Sequence, residues 1–267
     1  MNRNQSFEAW LSGDPYERYM GRWSQQVAPR FLSWLSMGPA CRWLDVGCGT
    51  GALSGAILER CSPALVVGVD PSEGFLAKAK ERFADRVVLH RAAASAIPVE
   101  DAAVDVTVSA LVMNFVPDAL AALVEMTRVT VDGGTIGAYV WDYAEKMEMI
   151  RNFWDAAIEL DPAAANLDEG TRFPLCRPDA LVNVFTRAGL TQVQASAIDI
   201  PTLFSDFEEY WRPFLGGQGP APTYAMGLDE AGRTRLRDRI RTRIALQPDG
   251  SIALMARAWA VRGIVCN

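Results

Sequence analysis

Short apolar runs alternate along the first half of the chain with longer stretches whose apolar positions recur every three or four residues. The runs predict strands at 42–46, 65–69, 86–90, 104–109 and 134–141. The longer stretches predict helices at 24–36, 51–60, 72–84 and 117–129, with a further leading helix from Pro15 to Arg22. Strands separated by helical patterns are the mark of a parallel, doubly wound α/β sheet. Beyond Trp141 the pattern loosens: a helix at 145–159, another ending at Ala188, and β-like runs at 191–200 and 251–262. The long segment between those last two runs holds Leu215-Gly216-Gly217-Gln218-Gly219-Pro220 and an arginine-rich helix. An insertion of this length is expected to cover a site or to support a partner contact.

The strand at 42–46 runs straight into Gly47-Cys48-Gly49-Thr50-Gly51 and then into a helix. Three glycines let the main chain adopt φ values closed to other residues and remove the Cβ atoms that would block a ligand. The free N–H groups of the following helix point at the same spot. A nucleotide-like ligand at this turn is the reading that the residues alone support. The dinucleotide fingerprint is G-x-G-x-x-G, whereas here the spacing is G-x-G-x-G after Asp45, and the next strand delivers Asp70 at its end. An ionised Asp is acceptor-only and suits two vicinal ribose hydroxyls.

Leu44-Asp45-Val46-Gly47-Cys48-Gly49-Thr50-Gly51, followed by Gly68-Val69-Asp70-Pro71-Ser72, resembles motif I and the next acidic loop of class I S-adenosylmethionine-dependent methyltransferases. Downstream order agrees. Residues 91–98 stand where that family carries its adenine loop, 104–109 resemble its F-D-x-V-x-S strand, and Val116-Pro117-Asp118 and Arg128 to Gly134 match the segments before strand five. The lead Asp14-Pro15-Tyr16-Glu17-Arg18-Tyr19-Met20-Gly21-Arg22-Trp23-Ser24 is similar to that of small-molecule enzymes related to the ubiquinone and menaquinone methyltransferases, the type 11 branch. The resemblance implies a Rossmann-like seven-stranded sheet with an antiparallel last strand and a helical cap or insertion. It implies a single domain over 1–267: a cap at 1–38, a cofactor core at 40–142, and a substrate-side half at 143–267 with an insertion at about 201–248. S-adenosylmethionine is the implied cofactor. Tyr19, Arg22, Asp45, Gly47, Gly49, Gly51, Asp70, Pro71, Ala94, Ser95, Ala110 and Leu111 are its implied contacts. Arg22 suits the methionine carboxylate bidentately, and Tyr16 or Tyr19 the same end. The bland alternative is that these aromatics pack the leading helix, with Arg22 on the surface. Ala93 departs from the family, replacing the usual adenine-loop acid, so weaker cofactor affinity is expected, by about 1 kcal/mol.

The ends of strands four and five are where open α/β sheets bind ligands, so Asn114, Phe115, Trp141 and Tyr143 are the candidate acceptor pocket. The expected reaction is methyl transfer to a small organic acceptor at O, C or N. Alignment with an activated sulfonium needs no dedicated base, and no catalytic residue is singled out. His90, the only histidine, reads as structural. A non-catalytic S-adenosylmethionine-binding regulator and an NAD-linked dehydrogenase are the rival classes, the second disfavoured by the glycine spacing. Asp70→Ala is expected to weaken cofactor binding with little change in fold.

Composition narrows the picture further. With 267 residues, half of them apolar, the chain suffices for one large core. No apolar run is long enough to span a bilayer, and Met1 to Ser6 shows no leader-like apolar stretch, so a cytoplasmic location is expected. Five cysteines without C-x-x-C spacing suggest reduced thiols and no metal, with Cys48 a small residue that fits the turn. A net charge of −6 and a pI near 5.0 argue against a nucleic-acid partner. No D-P-P-Y or N-P-P-Y segment follows strand four, which also favours small-molecule acceptors; a homodimer is left open. The arginines at 233, 235, 237, 239, 241 and 243 scatter around a helix rather than forming a stripe, and read as a solvated face with local ion pairs to Asp229, Glu230 and Asp238.

Overall fold

The computed structural model describes residues 21–216 and 219–266. Tyr16 and Tyr19, with most of the leading helix, lie outside the described residues. The chain divides into two compact units. A core unit comprises Ser24–Val140, Leu175–Ile198 and the chain from Ala258; a helical unit comprises 21–23, Trp141–Pro174 and Asp199–Arg257.

The core unit is built on β1 (Arg42–Val46), β2 (Leu65–Asp70), β3 (Val88–Arg91), β4 (Val104–Ala110), β5 (Thr130–Trp141), β6 (Thr191–Phe204) and β7 (Ile252–Ile264). The strand order is β3-β2-β1-β4-β5-β7-β6. β1 pairs in parallel with both β2 and β4, β2 with β3, and β4 with β5. The order therefore reverses between β1 and β4, the switch point at which doubly wound sheets open a crevice. β7 runs antiparallel: Gly133 donates to the Val265 carbonyl (3.0 Å) and the Val265 N–H returns to Gly134 (2.9 Å). Thr191 Oγ1 donates to the Ile264 carbonyl and Arg262 reaches Gln194, so β6 runs against β7. The seven-stranded sheet expected from the sequence is present, with both of its last strands antiparallel to their neighbours.

Apolar side chains of β1, β2 and β4 fill both faces of the sheet, with Trp43, Leu44, Val66, Val69, Val106 and Val108 buried. Helices α1 (Arg22–Leu35), α2 (Ala52–Arg60), α3 (Glu73–Phe83), α4 (Ala119–Val129) and α7 (Pro178–Arg187) accompany the strands. Ser72 and Asp118 cap α3 and α4, their side chains accepting from Phe75 and Ala121. Each cap lies just outside its helix, which is why both helices begin slightly later than the hydrophobic pattern predicts. At the far end of the sheet Arg42 clamps β1 to β4, donating to both carboxylate oxygens of Asp105 (3.0 and 2.7 Å).

The helical unit contains α5 (Glu148–Leu160), the single turn α6 (Glu169–Arg172), α8 (Phe207–Trp211), α9 (Pro220–Gly227) and α10 (Glu230–Arg243). Its centre is aromatic: Phe153 stacks on Phe214 at 4.6 Å, and the Tyr210 hydroxyl donates to the Met149 carbonyl (2.7 Å). α10 is the arginine-rich helix, and it buries Leu236 and Ile240. Its ion pairs are not the local ones expected. Arg237 pairs with Glu208, Arg239 with Glu159, and Arg243 with both Glu159 and Asp155, so the arginines reach α8 and α5 instead. Among the described residues no helix is long and apolar enough to cross a membrane, and no cluster of His, Cys, Asp and Glu is arranged to hold a metal.

Candidate active site at the strand edge

Parallel pairing in register sets the ends of β1, β2, β3 and β4 side by side: Val46 opposite Val69, Asp70 opposite Arg91, and Asp45 opposite Val108. The segments that follow those ends hold Gly47, Gly49, Gly51, Pro71, Ala94, Ser95, Leu111, Asn114 and Phe115. The core unit thus brings most of the sequence-predicted residues to one edge of the sheet, Ala110 included as the last residue of β4.

The glycine turn is held by its own hydrogen bonds. Gly47 and Cys48 donate to the Val69 carbonyl (2.8 and 3.0 Å), and Gly51 donates to Cys48 (2.8 Å). All three glycines have positive φ, at 74°, 55° and 85°, where an L side chain is strained. Their surroundings differ. A Cβ on Gly47 would lie 2.6 Å from both methyls of Val112, and one on Gly51 would lie 2.1 Å from the Phe83 ring. A Cβ on Gly49 would meet nothing within 4 Å. Protein neighbours exclude side chains at 47 and 51, whereas Gly49 borders open space.

Two carboxylates frame the turn. Asp70 accepts from the Gly49 N–H at Oδ2 (2.9 Å) and from the Ser72 N–H at Oδ1 (2.8 Å), so it anchors the glycine turn as well as its own loop. Burial raises its pKa against the pull of those two bonds. Asp45 is fully buried. Its Oδ2 accepts from Ser54 Oγ (2.6 Å), and its Oδ1 has no hydrogen-bond partner among the described residues. Burial pushes the Asp45 carboxyl up to about 7, with the nearby Asp70 charge adding to the rise and the Ser54 bonds opposing it. Cys48 is buried beside both carboxylates, and burial drives its thiol well above the ordinary range. A thiol of this kind is inert as a nucleophile, consistent with a small packing residue.

Ser54, Val112 and Phe83 were not legible as site residues. Ser54 carried a faint signal, a hydroxyl one turn into the helix after Gly51; the other two reach the turn only through tertiary packing. Arg128 is a further addition. It donates to the carbonyls of Ile97 and Val99 (both 3.0 Å), to Asp101, and to both oxygens of Glu125, which itself accepts from the Ile97 N–H (2.9 Å). This fork ties the segment after Ala94 and Ser95 to α4. Arg128→Ala is expected to cost about 1–2 kcal/mol, read by urea denaturation, and to speed amide exchange at residues 97–102 with little change elsewhere in the sheet.

Arg22, Trp141 and Tyr143 belong to the helical unit. Arg22 donates to Glu209 (2.5 Å), and its guanidinium lies over the Trp23 and Phe204 rings at 4.2 and 4.9 Å. Trp141 is buried, and Tyr143 is buried against Phe173 at 6.0 Å. His90 lies in β3 opposite Val69.

A family model described as a methyltransferase domain matches residues 44–137, a span from the end of β1 to β5 that contains the whole strand edge. The chain is 38% identical over 112 residues to the malonyl-[acyl-carrier protein] O-methyltransferase of Serratia marcescens, covering 42% of this chain and 43% of that protein. It is 38% identical over 96 residues to the demethylmenaquinone methyltransferase of Staphylococcus aureus, covering 35% and 40%. The chain spans less than half the length of the curated relatives it matches. Among solved structures, phosphoethanolamine N-methyltransferase 2 of Haemonchus contortus, in complex with phosphomonomethylethanolamine and S-adenosylhomocysteine, aligns over 95% of this chain and 56% of that one, with a TM-score of 0.59 at 15% identity. That likeness concerns the fold. Residues 44–137 of the chain match a methyltransferase domain.

Proposed function

We propose that the protein transfers the methyl group of S-adenosylmethionine to a small organic acceptor. The observation that carries this reading is the unpartnered Asp45 Oδ1 beside a glycine turn whose Gly49 borders open space. A buried carboxylate oxygen without a donor suits the cofactor's ammonium group. Each Asp70 oxygen uses one of its lone pairs on a main-chain N–H and retains capacity for a ribose hydroxyl. Pro71, Ala110 and Leu111 border the same edge, and the main chain at Ala94 and Ser95 is the remaining place for adenine. Arg22 has its charge met by Glu209, so the reading stands on the core unit. The bound sulfonium supplies an already activated methyl group, and the residues contribute binding and alignment of acceptor and donor. An O-methyltransferase stands among the relatives and an N-methyltransferase among the structural neighbours, which supports the reaction class and leaves the acceptor atom open. A cytoplasmic location belongs to the same reading.

Binding of S-adenosylhomocysteine and of NAD by calorimetry, followed by S-adenosylhomocysteine release with phenols, quinols, carboxylic acids, thiols and amines, tests the proposal. Stabilisation by NAD alone would sink it; tight S-adenosylhomocysteine binding without turnover would leave a non-catalytic binding protein. The pH dependence is distinctive. Without ligand, the folded state holds Asp45 neutral up to about pH 7 while the unfolded chain ionises near 3.8. Asp45 therefore favours the fold most below about pH 4, and that contribution is lost as pH rises through 7. A cationic group at Oδ1 favours the ionised form, so affinity should run the other way, falling up to about tenfold per pH unit below 7. Asp45→Asn should bind more weakly and with a flat profile over the same interval.

A further inference from the structure

Asn114 stands at the same strand edge with a buried donor that meets no acceptor among the described residues. Leu111 leaves β4 in the left-handed region, at φ 60°, with its N–H donating to the Tyr139 carbonyl (2.8 Å). A non-glycine residue in that region is strained and persists where its surroundings hold it. Val112 then packs on Gly47, Met113 is buried, and the Phe115 N–H closes a 3₁₀ turn onto the Val112 carbonyl (2.8 Å). The backbone on both sides of Asn114 is thereby fixed against the glycine turn. Its Nδ2 is buried and has no hydrogen-bond partner among the described residues.

In the core unit that condition is shared by Trp43 Nε1, Asp45 Oδ1 and Asn114 Nδ2. The Trp43 indole lies inside β1, fully buried in the apolar core. Asp45 and Asn114 stand at the strand edge, one an unused acceptor and the other an unused donor. A buried unused N–H is costly, and an apolar side chain of the same volume would remove the cost. An amide there is explained by a lone pair that arrives with a ligand. The ribose and ammonium of the cofactor are matched by Asp70 and Asp45, and its adenine by the loop after β3. Asn114 follows β4, on the opposite side of β1 from β2 and β3.

We propose that Asn114 orients the methyl acceptor: its carboxamide N–H donates to an acceptor oxygen, so the enzyme selects molecules with a hydroxyl, carbonyl or carboxylate at or beside the reacting atom. This rests on the methyl-transfer reading. A site built to donate to a substrate oxygen rejects analogues that lack it, because the buried donor is then left unpaired. Asn114→Leu keeps the branching at Cγ and removes the donor; Asn114→Asp keeps the shape and presents acceptors alone.

The experiment measures S-adenosylhomocysteine affinity, the ligand-free melting temperature, and turnover of the panel of phenols, quinols, carboxylic acids, thiols and amines. Wild-type turnover is expected to favour the oxygen-bearing members. Asn114→Leu is expected to lose roughly tenfold or more in kcat/KM on them, chiefly through KM, to melt at a higher temperature, and to keep S-adenosylhomocysteine affinity within about twofold. Asn114→Asp should lose at least as much turnover. A tenfold loss of S-adenosylhomocysteine affinity in Asn114→Leu would assign the donor to the cofactor and overturn the proposal. So would an unchanged acceptor KM, a lower melting temperature, or wild-type turnover of oxygen-free thiols and amines that equals that of the oxygen-bearing acceptors. Absence of turnover with every acceptor, despite S-adenosylhomocysteine binding, would overturn the methyl-transfer reading and this assignment with it.

Discussion

Gly51→Ala should destabilise the protein by about 3 kcal/mol, part of it from a left-handed alanine and the rest from displacing a core ring. The new Cβ would fall 2.1 Å from Phe83, whose side chain is buried at the end of α3. No rotation of the added methyl relieves that contact, so either the ring or the start of α2 must move. Urea denaturation measures the loss directly, and a cost below about 1 kcal/mol would mean that the turn tolerates what its geometry excludes. Gly49→Ala is the internal control. It carries the conformational cost alone, since nothing lies within 4 Å of the added atom, and its larger effect should appear as lost S-adenosylhomocysteine affinity.

Asp70→Asn should weaken S-adenosylhomocysteine binding by about 100-fold, the scale of one to two hydrogen bonds to a charged acceptor. The substitution keeps the side chain's size and leaves a carbonyl oxygen for one of the two main-chain donors. Asp70→Ala is the blunter change, because Gly49 and Ser72 both donate to this carboxylate. The expectation that alanine here would spare the fold is therefore corrected: the residue proposed to hold ribose also shapes the turn. Calorimetry on the asparagine variant, paired with its melting curve, separates the two roles. Unchanged affinity would remove Asp70 from the cofactor site.

Much of the fold was readable because a buried parallel strand is a short apolar run, and β1 begins and ends where that run does. The errors have identifiable causes. β5 begins at Thr130, not 134, because Gly133-Gly134 reads as a strand breaker. In the fold, Gly133 and Gly134 instead hydrogen-bond to Val265, and a Cβ at Gly134 would press on the Asp105 carbonyl at 2.9 Å. β6 continues through Pro201 to Phe204; a proline, lacking its N–H, is tolerated because β6 is the edge strand. At the site, Asp45, Asp70 and the glycines were legible from spacing within two strand-to-helix junctions. Ser54 against Asp45, Val112 against Gly47 and Phe83 against Gly51 were not, since each depends on which side chains the sheet order brings together. The arginines of α10 illustrate the same limit. Their helix was evident from sequence, but their carboxylate partners lie on α5 and α8.

The unequal surroundings of the three glycines bear on how this turn can change over generations. Positions 47 and 51 answer to Val112 and Phe83, and so to folding, whatever the protein does. Position 49 borders open space, and on the proposed function it answers to a ligand. A descendant that abandoned its cofactor would be free to drift at 49 while 47 and 51 stayed glycine, so within such a lineage the middle glycine would be the first trace of lost chemistry to fade.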